Sequence, residues 1–255
     1  MKFLEPMIIA FSMYSKIPVP YFEWKKEDMR FSLIFLPAVG AFIGALEMLC
    51  FYLCGFIGIN YARIFFLTAV PVLFTGGLHL DGYMDTSDAL ASYGDREKKL
   101  AILKDSHIGA FAVIRIILYF LILIGVMFTA EQYSSEMFPT ELALLFVISR
   151  ISAAFAMLFL HSARQDGIEY TFSKNADRKI VITVLSIISA AVIFLCIYTD
   201  VLSGCLVIIS NILLFIIYRR RMYREFGGIT GDTEGWLICM SELAGTAALA
   251  LGSIL

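Results

Sequence analysis

The chain contains seven long apolar stretches, and they constrain its fold more than any other feature. They run over residues 33–57, 62–80, 108–130, 138–160, 180–198, 201–218 and 235–255. A helix of ~20 mostly apolar residues crosses a bilayer core of about 30 Å, so each stretch is long enough, or nearly so, to span a membrane. Hydrophobic residues make up 60% of the chain, against ~45–50% in soluble domains. The sequence therefore predicts an all-α, polytopic membrane helix bundle, a single integral membrane domain over residues 1–255.

The charge and cysteine content exclude other classes of protein. With 20 Lys or Arg against 22 Asp or Glu, the net charge is −2, so no nucleic-acid partner is expected. The five cysteines lie in apolar runs without a CxxC pair, which argues against a disulfide framework or a zinc site. Residues 3–14 are apolar but too short to span, so we expect an N-terminal helix at the membrane interface.

The distribution of basic residues predicts the orientation of the chain. Four Lys or Arg residues fall in each of the segments 15–32, 81–107, 161–179 and 219–231, which together hold 16 of the 20. In the loops that alternate with these four segments along the chain, Arg63 is the only basic residue. Because Lys and Arg favour cytoplasmic loops, we expect these four segments inside and the C-terminus outside. The expected location is the cytoplasmic (inner) membrane, in contact with its lipids.

Three aspartates follow the second apolar stretch at helical spacing. Asp81, Asp85 and Asp88 are spaced i, i+4 and i+7, which places them within roughly 60° on one helical face. Like charges on one face repel each other, and a bound cation removes that penalty. Mg²⁺ is commonly held by one or two carboxylates together with waters and substrate phosphates. We therefore predict Asp81 and Asp85 as metal ligands, with a solvated polar face as the alternative.

Glycines and a histidine precede the aspartates. Gly76 and Gly77 leave room for a ligand to approach the backbone closely, so both are predicted to bind substrate. His79 lies on a different helical face from Asp81. It is either a hydrogen-bonded structural residue, or a group that contacts a phosphate or acts as a base.

A second glycine-rich run, residues 227–233, opens the last apolar stretch. Glycines before a helix start expose backbone N–H groups, and a helix N-terminus favours anions. We therefore expect Gly228, Thr230 and Gly231 to contact a substrate phosphate and Asp232 to help hold the metal. The alternative is that Thr230 or Asp232 is an ordinary N-cap.

Four other polar residues are candidates for substrate binding. Asp105 lies in the polar run that opens the third apolar stretch, although it or Ser106 equally suits a helix cap. Arg164 suits bidentate phosphate binding, with a solvated loop arginine as the alternative. Arg150 and Glu242 lie within apolar stretches, where ionisable groups are usually paired or functional. We expect Arg150 to pair with an acid.

Together these motifs resemble those of the cobalamin synthase family, the adenosylcobinamide-GDP ribazoletransferases. The main segments are Thr75-Gly-Gly-Leu-His-Leu-Asp-Gly-Tyr-Met-Asp-Thr-Ser-Asp88, Lys104-Asp-Ser-His-Ile-Gly109, Ala163-Arg-Gln-Asp-Gly167 and Gly227-Gly-Ile-Thr-Gly-Asp-Thr233. Matches at residues 17–20 and 36–40 extend the resemblance over nearly the whole chain. It implies a Mg²⁺-dependent membrane enzyme that joins α-ribazole, or its 5′-phosphate, to adenosylcobinamide-GDP and releases GMP. Contact with soluble enzymes of the same pathway is possible on the basic inside loops.

The physics of phosphoryl transfer suggests roles for these residues. Such catalysis is mostly positioning and charge neutralisation. Asp81, Asp85 and Asp232 are expected to hold one or two Mg²⁺ ions at the pyrophosphate. Asp88 is expected to be the general base or a second metal ligand, and Arg164 to hold the GMP phosphate.

Two other functions compete with this interpretation. A CDP-alcohol phosphotransferase also uses aspartates on membrane helices, but its usual Ala-Arg soon after the Asp-Gly is missing after Asp81-Gly82. A transporter also has several spans and intramembrane acids, but transporters commonly carry internal repeats, and residues 75–88 have no second copy.

Overall fold

The computed structural model describes residues 4–20, 24–25, 27–134, 136–164 and 167–255, which form helices and connecting segments. The α-helices are α1 (Leu4–Tyr14), α2 (Leu36–Ile57), α3 (Arg63–Thr75), α4 (Leu78–Ala91), α5 (Arg96–Ile102), α6 (Ala110–Tyr133), α7 (Phe138–Phe159), α8 (Ile168–Asn175), α9 (Arg178–Thr199), α10 (Val201–Phe226) and α11 (Gly231–Ile254). Two 3-10 segments, Asp28–Phe35 and Asn60–Ala62, precede α2 and α3. The described part of the chain contains no β-strand, which confirms the all-α prediction.

Six of the predicted spans are helices long and apolar enough to cross a membrane. They are α6, α7, α9, α10, α11 and the segment Asp28–Ile57, in which the first 3-10 segment leads into α2. Among the described residues, a seventh span exists only if α3 and α4 are taken together. The chain is therefore a multi-pass membrane protein. The predicted short apolar helix at the N-terminus is also present as α1, and its place at the membrane interface stays a prediction.

The second predicted span, residues 62–80, is wrong as a continuous helix. The helix α3 ends at Thr75, and after two intervening residues α4 begins at Leu78 at an angle of 92°. Gly76 and Gly77 form the break, with φ angles of 65° and 82° in the left-handed region that other residues rarely adopt. We call these two residues the elbow. As a result, His79 belongs to the helix that carries the three aspartates.

The last helix, α11, lies at the centre of the bundle. It packs against α4, α6, α7 and α10, and its buried face includes Trp236, Leu237 and Ile238. By contrast, α6 and α9 expose large apolar side chains such as Leu121 and Phe194, as expected for helices that face lipid.

Helices α2 and α7 pack closely against each other. A Cβ on Gly40 would lie 2.9 Å from the Cα of Val147, and one on Gly44 would lie 2.8 Å from the Ala143 carbonyl oxygen. Small residues let the two backbones approach closely. The glycine pair therefore serves helix packing.

We predict that Gly76→Ala lowers activity because it distorts the elbow. Alanine in the left-handed region costs roughly 1–2 kcal/mol, and a Cβ at this position would collide with the side chain of Lys16. Gly58→Ala is the matched control, since Gly58 also has a positive φ of 83° but has open space around it. We expect the melting temperature to fall by a similar amount in both variants. The rate of the enzymatic reaction should fall only in Gly76→Ala. Equal turnover in the two would contradict this.

Candidate active site

The aspartate helix and the last helix cross with almost no space between their backbones. A Cβ on Gly82 of α4 would lie 2.7 Å from the carbonyl oxygen of Asp232 and 2.9 Å from its Cα. One turn further along α11, a Cβ on Gly235 would lie 2.9 Å from the carbonyl oxygen of His79. The two glycines therefore allow the contact that brings the two predicted motifs together.

Four carboxylates meet at this crossing. The charges of Asp81, Asp232 and Asp88 all act on Asp85. Asp81 is exposed, and the other three are half-buried. All three aspartates of the first motif lie on α4, as their helical spacing predicts. The crossing is therefore an open acidic surface shared by α4 and the first turn of α11.

The acidic surface suits a cation that the substrate helps to hold. Among the residues that the structure describes, no three His, Cys, Asp or Glu side chains are grouped closely enough to hold a metal ion by themselves. Mg²⁺ does not need such a cage, because it commonly takes one or two carboxylates and completes its shell with waters and phosphates. Partly exposed oxygen ligands with unfavourable mutual repulsion fit that requirement. The residues present are therefore compatible with Mg²⁺.

Asp88, on α4, lies beside the start of α6, the third predicted span. Its carboxylate covers the Cα of Gly109, so that a side chain at Gly109 would collide with both carboxylate oxygens. Gly109 is the N-cap of α6, and a negative charge beside a helix N-terminus is stabilised by the exposed N–H groups. Asp88 is therefore the member of the acidic surface that contacts the N-terminus of α6.

The alternative that Asp105 or Ser106 caps α6 is wrong. The N-cap is Gly109 and has no side-chain cap hydrogen bond. The reason is that Asp105 is engaged locally. Its carboxylate accepts hydrogen bonds from the backbone N–H of His107 at 3.0 Å and from the His107 Nδ1 at 2.6 Å. These hydrogen bonds hold the pKa of Asp105 below its usual value. Its predicted role in substrate binding stays a prediction.

The glycine-rich run 227–233 forms a turn between α10 and α11. Thr230 is the N-cap of α11 and forms a capping box with Thr233: each side chain accepts a hydrogen bond from the backbone N–H of the other residue, at 3.3 and 2.8 Å. The N-cap alternative is thus confirmed for Thr230, whereas Asp232 lies inside the helix. The Thr230 hydroxyl is buried in this cap. Gly231, the first residue of α11, is exposed.

A neighbouring loop closes over the same turn. The backbone N–H of Ala163 donates to the carbonyl oxygen of Ile229 at 2.7 Å, and the N–H of Ile229 donates to that of His161 at 2.9 Å. Gly228 lies against His161 and Ser162 so closely that a Cβ would collide with their backbone. This loop leads to Arg164, whose guanidinium donates to the carbonyl oxygen of Leu100 in α5. Arg164 therefore lies beside the turn, joined to the helix that follows the aspartates.

The pair Arg150–Glu242 lies deeper in the bundle. The Arg150 guanidinium forms a salt bridge with Glu242, and the Ser149 hydroxyl lies 3.2 Å from the same carboxylate. Arg150 is 1% exposed. The expectation that Arg150 pairs with an acid is confirmed, and Glu242 is that acid. Whether either residue binds substrate stays a prediction.

Sequence analysis missed two acids at this end of the bundle. Glu169 on α8 is 8% exposed and Glu234 on α11 is 3% exposed, and the charges of Glu169 and Asp232 both act on Glu234. Glu234 was visible as the second residue after Asp232, but Glu169 was not, because only the folded chain brings α8 beside the start of α11.

Comparison with known proteins identifies the family. The family model described as cobalamin-5-phosphate synthase matches residues 6–250. A protein of Lachnoclostridium phytofermentans named adenosylcobinamide-GDP ribazoletransferase is 37% identical over 253 residues, which cover 98% of this chain and 95% of that protein. A protein with the same name from Clostridium botulinum (strain Alaska E43) is 30% identical over 96% of this chain and 96% of that protein. Another from Clostridium perfringens (strain ATCC 13124) is 31% identical over 98% of both chains. No solved structure matches the chain. The chain belongs to the cobalamin-5-phosphate synthase family.

Proposed function

We propose that this protein is an adenosylcobinamide-GDP ribazoletransferase of the last steps of cobalamin biosynthesis. It joins α-ribazole or its 5′-phosphate to adenosylcobinamide-GDP and releases GMP. The observation that carries the proposal is the crossing of α4 and α11, which gathers four aspartates beside a glycine-rich turn. Family membership and the names of the relatives support the same activity.

The acidic surface would hold Mg²⁺ through Asp81, Asp85 and Asp232. When bound, the cation neutralises charge on the pyrophosphate of the GDP-activated substrate. The exposed start of α11 at Gly231 supplies backbone N–H groups for a phosphate oxygen. These residues bind and orient the substrate, and positioning supplies much of the rate in this class of reaction.

Asp88 is placed to accept a proton. A ribose hydroxyl of α-ribazole attacks the phosphorus that carries the cobinamide, the bond from that phosphorus to the oxygen of GMP breaks, and GMP leaves. The hydroxyl proton passes to the carboxylate of Asp88, which lies against the N-terminus of α6 at Gly109. Arg164 binds the phosphate of GMP once its guanidinium exchanges the Leu100 carbonyl oxygen for that phosphate.

Described basic residues lie at the same end of the bundle as the aspartates, since the charge of Arg164 acts on Asp232 and Arg96 lies beside Gly227. Lys99 of α5 pairs with Glu225 at the end of α10, and their side-chain atoms are 2.5 Å apart. Because basic loops favour the cytoplasm, we place the active site on the cytoplasmic side of the inner membrane. The same basic surface is available to soluble enzymes of the pathway.

The test is GMP release by the purified protein in liposomes. We expect release that requires adenosylcobinamide-GDP, α-ribazole and Mg²⁺ together, and that stops when the metal is removed by a chelator. A parallel reaction receives a CDP-alcohol and an alcohol acceptor. Release of CMP without release of GMP would contradict the proposal and assign the chain to phospholipid chemistry. Release of neither, from protein that melts cooperatively, would also overturn it.

A further inference from the structure

A cavity of about 40 Å³ lies beneath the elbow, between α3, α4, α6, α7 and α11. Most of its wall is apolar, but His79, Arg150 and Glu242 also line it. These three residues come from three different helices and lie next to the acidic surface without belonging to it. The cavity is therefore a mainly apolar chamber with a few polar groups, separate from the site proposed for the metal and the phosphates.

Among the residues that the structure describes, two buried nitrogen atoms at this cavity have no hydrogen-bond partner. They are the Nε2 of His79 and the Nε of Arg150, and the two residues are 6% and 1% exposed. A buried polar group without a partner is destabilising. Protein side chains satisfy the other face of Arg150, where its Nη1 donates to Ser149 at 2.9 Å and also to Glu242. The missing partners therefore belong to the cavity side.

The cavity has the size and chemistry of a water site. A buried water needs roughly 10–15 Å³ of accessible volume and 2–4 polar partners, and this cavity offers about 40 Å³ with polar groups from α4, α7 and α11. A water that accepts a hydrogen bond from the Nε of Arg150 and donates one to the Nε2 of His79 satisfies both unpartnered atoms at once.

We propose that ordered water fills this cavity and joins His79 to the Arg150–Glu242 pair, so that Arg150 is a positioning residue for the start of α4. The neighbouring contacts of His79 support this role. Its carbonyl oxygen accepts a hydrogen bond from the Cys239 thiol at 3.4 Å, and its ring packs against Tyr14 with centroids 5.7 Å apart. The hydrated cavity supplies a partner for the Nε2 of His79, two residues before Asp81. Arg150 thus acts on the site through water and does not contact the substrate.

The experiment is solid-state NMR of the histidine-labelled protein in lipid bilayers. The chain has three histidines, and His107 and His161 are both exposed. The double substitution His107→Asn and His161→Asn therefore leaves His79 as the only labelled imidazole. We expect magnetisation to pass from water to the His79 ring despite its burial. The measurement needs no turnover, so its result is independent of the proposed function.

Two further variants test the link to Arg150. Arg150→Lys keeps the cation beside Glu242 but removes the Nε donor, and we expect at least about a twofold slower transfer from water to His79 with a shifted Nε2 resonance. Ser149→Ala is the matched control, because Ser149 contacts the same carboxylate from outside the cavity, and it should leave the signal of His79 unchanged. In the assay of GMP release, Arg150→Lys should lower kcat by roughly tenfold with KM unchanged.

Three results would overturn the proposal. The first is a His79 ring that receives no magnetisation from water in the protein that carries only the two histidine substitutions. This result tests the proposal even if Arg150→Lys does not fold. The second is an Arg150→Lys spectrum identical to that of the parent. The third is a raised KM with kcat unchanged, which would make Arg150 a substrate-binding residue.

Discussion

Asp85→Asn should reduce the release of GMP by at least about 100-fold, because we propose Asp85 as a metal ligand and the loss of such a carboxylate costs several kcal/mol of charge stabilisation. Asp85 is the residue on which the charges of Asp81, Asp88 and Asp232 all act. It therefore marks the centre of the acidic surface. The substitution also removes repulsion, so thermal stability without Mg²⁺ should stay equal or rise. Turnover and melting temperature are measured on the same preparation.

The control for this variant is Asp95→Asn. Asp95 is the N-cap of α5 and accepts a hydrogen bond from the N–H of Lys98 at 2.9 Å. Asparagine caps helices about as well as aspartate, and Asp95 lies outside the acidic surface. We expect full turnover from this variant. Full Mg²⁺-dependent turnover from Asp85→Asn as well would remove Asp85 from the metal site.

Gly82→Ala should destabilise the protein and abolish turnover, because a methyl group has no room between α4 and α11. The nearest atoms are backbone atoms of Asp232 at 2.7 and 2.9 Å, which cannot rotate away. Overpacking of this kind costs typically 1–3 kcal/mol, and separation of the helices would also move Asp232 away from Asp85. We expect a lower melting temperature in detergent and loss of the response of that temperature to Mg²⁺.

The matched control is Gly125→Ala on α6. Gly125 also lies inside a helix, but no atom lies within 4 Å of an added Cβ. Alanine is the better helix former by about 1 kcal/mol, so this variant should be as stable as the parent or slightly more stable. If Gly82→Ala kept both its stability and its turnover, the close crossing of α4 and α11 would not be needed for the site.

Local periodicity predicted the part of the site that lies on a single helix. The spacing of Asp81, Asp85 and Asp88 needs only the rise and rotation of an α-helix. The structure also brings Asp232 close to Asp85, whereas its role as a metal ligand stays a prediction. Its contact with Gly82 was not predictable, since it depends on how two helices cross.

The errors have identifiable physical causes. The apolar run 62–80 was read as one span because hydropathy averages over a window, whereas the break depends on the two positive φ angles of Gly76 and Gly77. The cap of α6 was misplaced because His107 occupies the carboxylate of Asp105. Glu169 stayed unnoticed because no local pattern places α8 against α11.

The central position of α11 has a consequence for how the protein is made. Domains and helices emerge from the ribosome in order from the N-terminus, so α4, α6, α7 and α10 enter the membrane before the helix that they surround. Until α11 arrives, the acidic surface lacks Asp232, and Arg150 stays in the bilayer without Glu242, an unfavourable state for a charged side chain. Assembly is therefore complete only after the last helix is inserted. A chain arrested during translation anywhere before it has no active site.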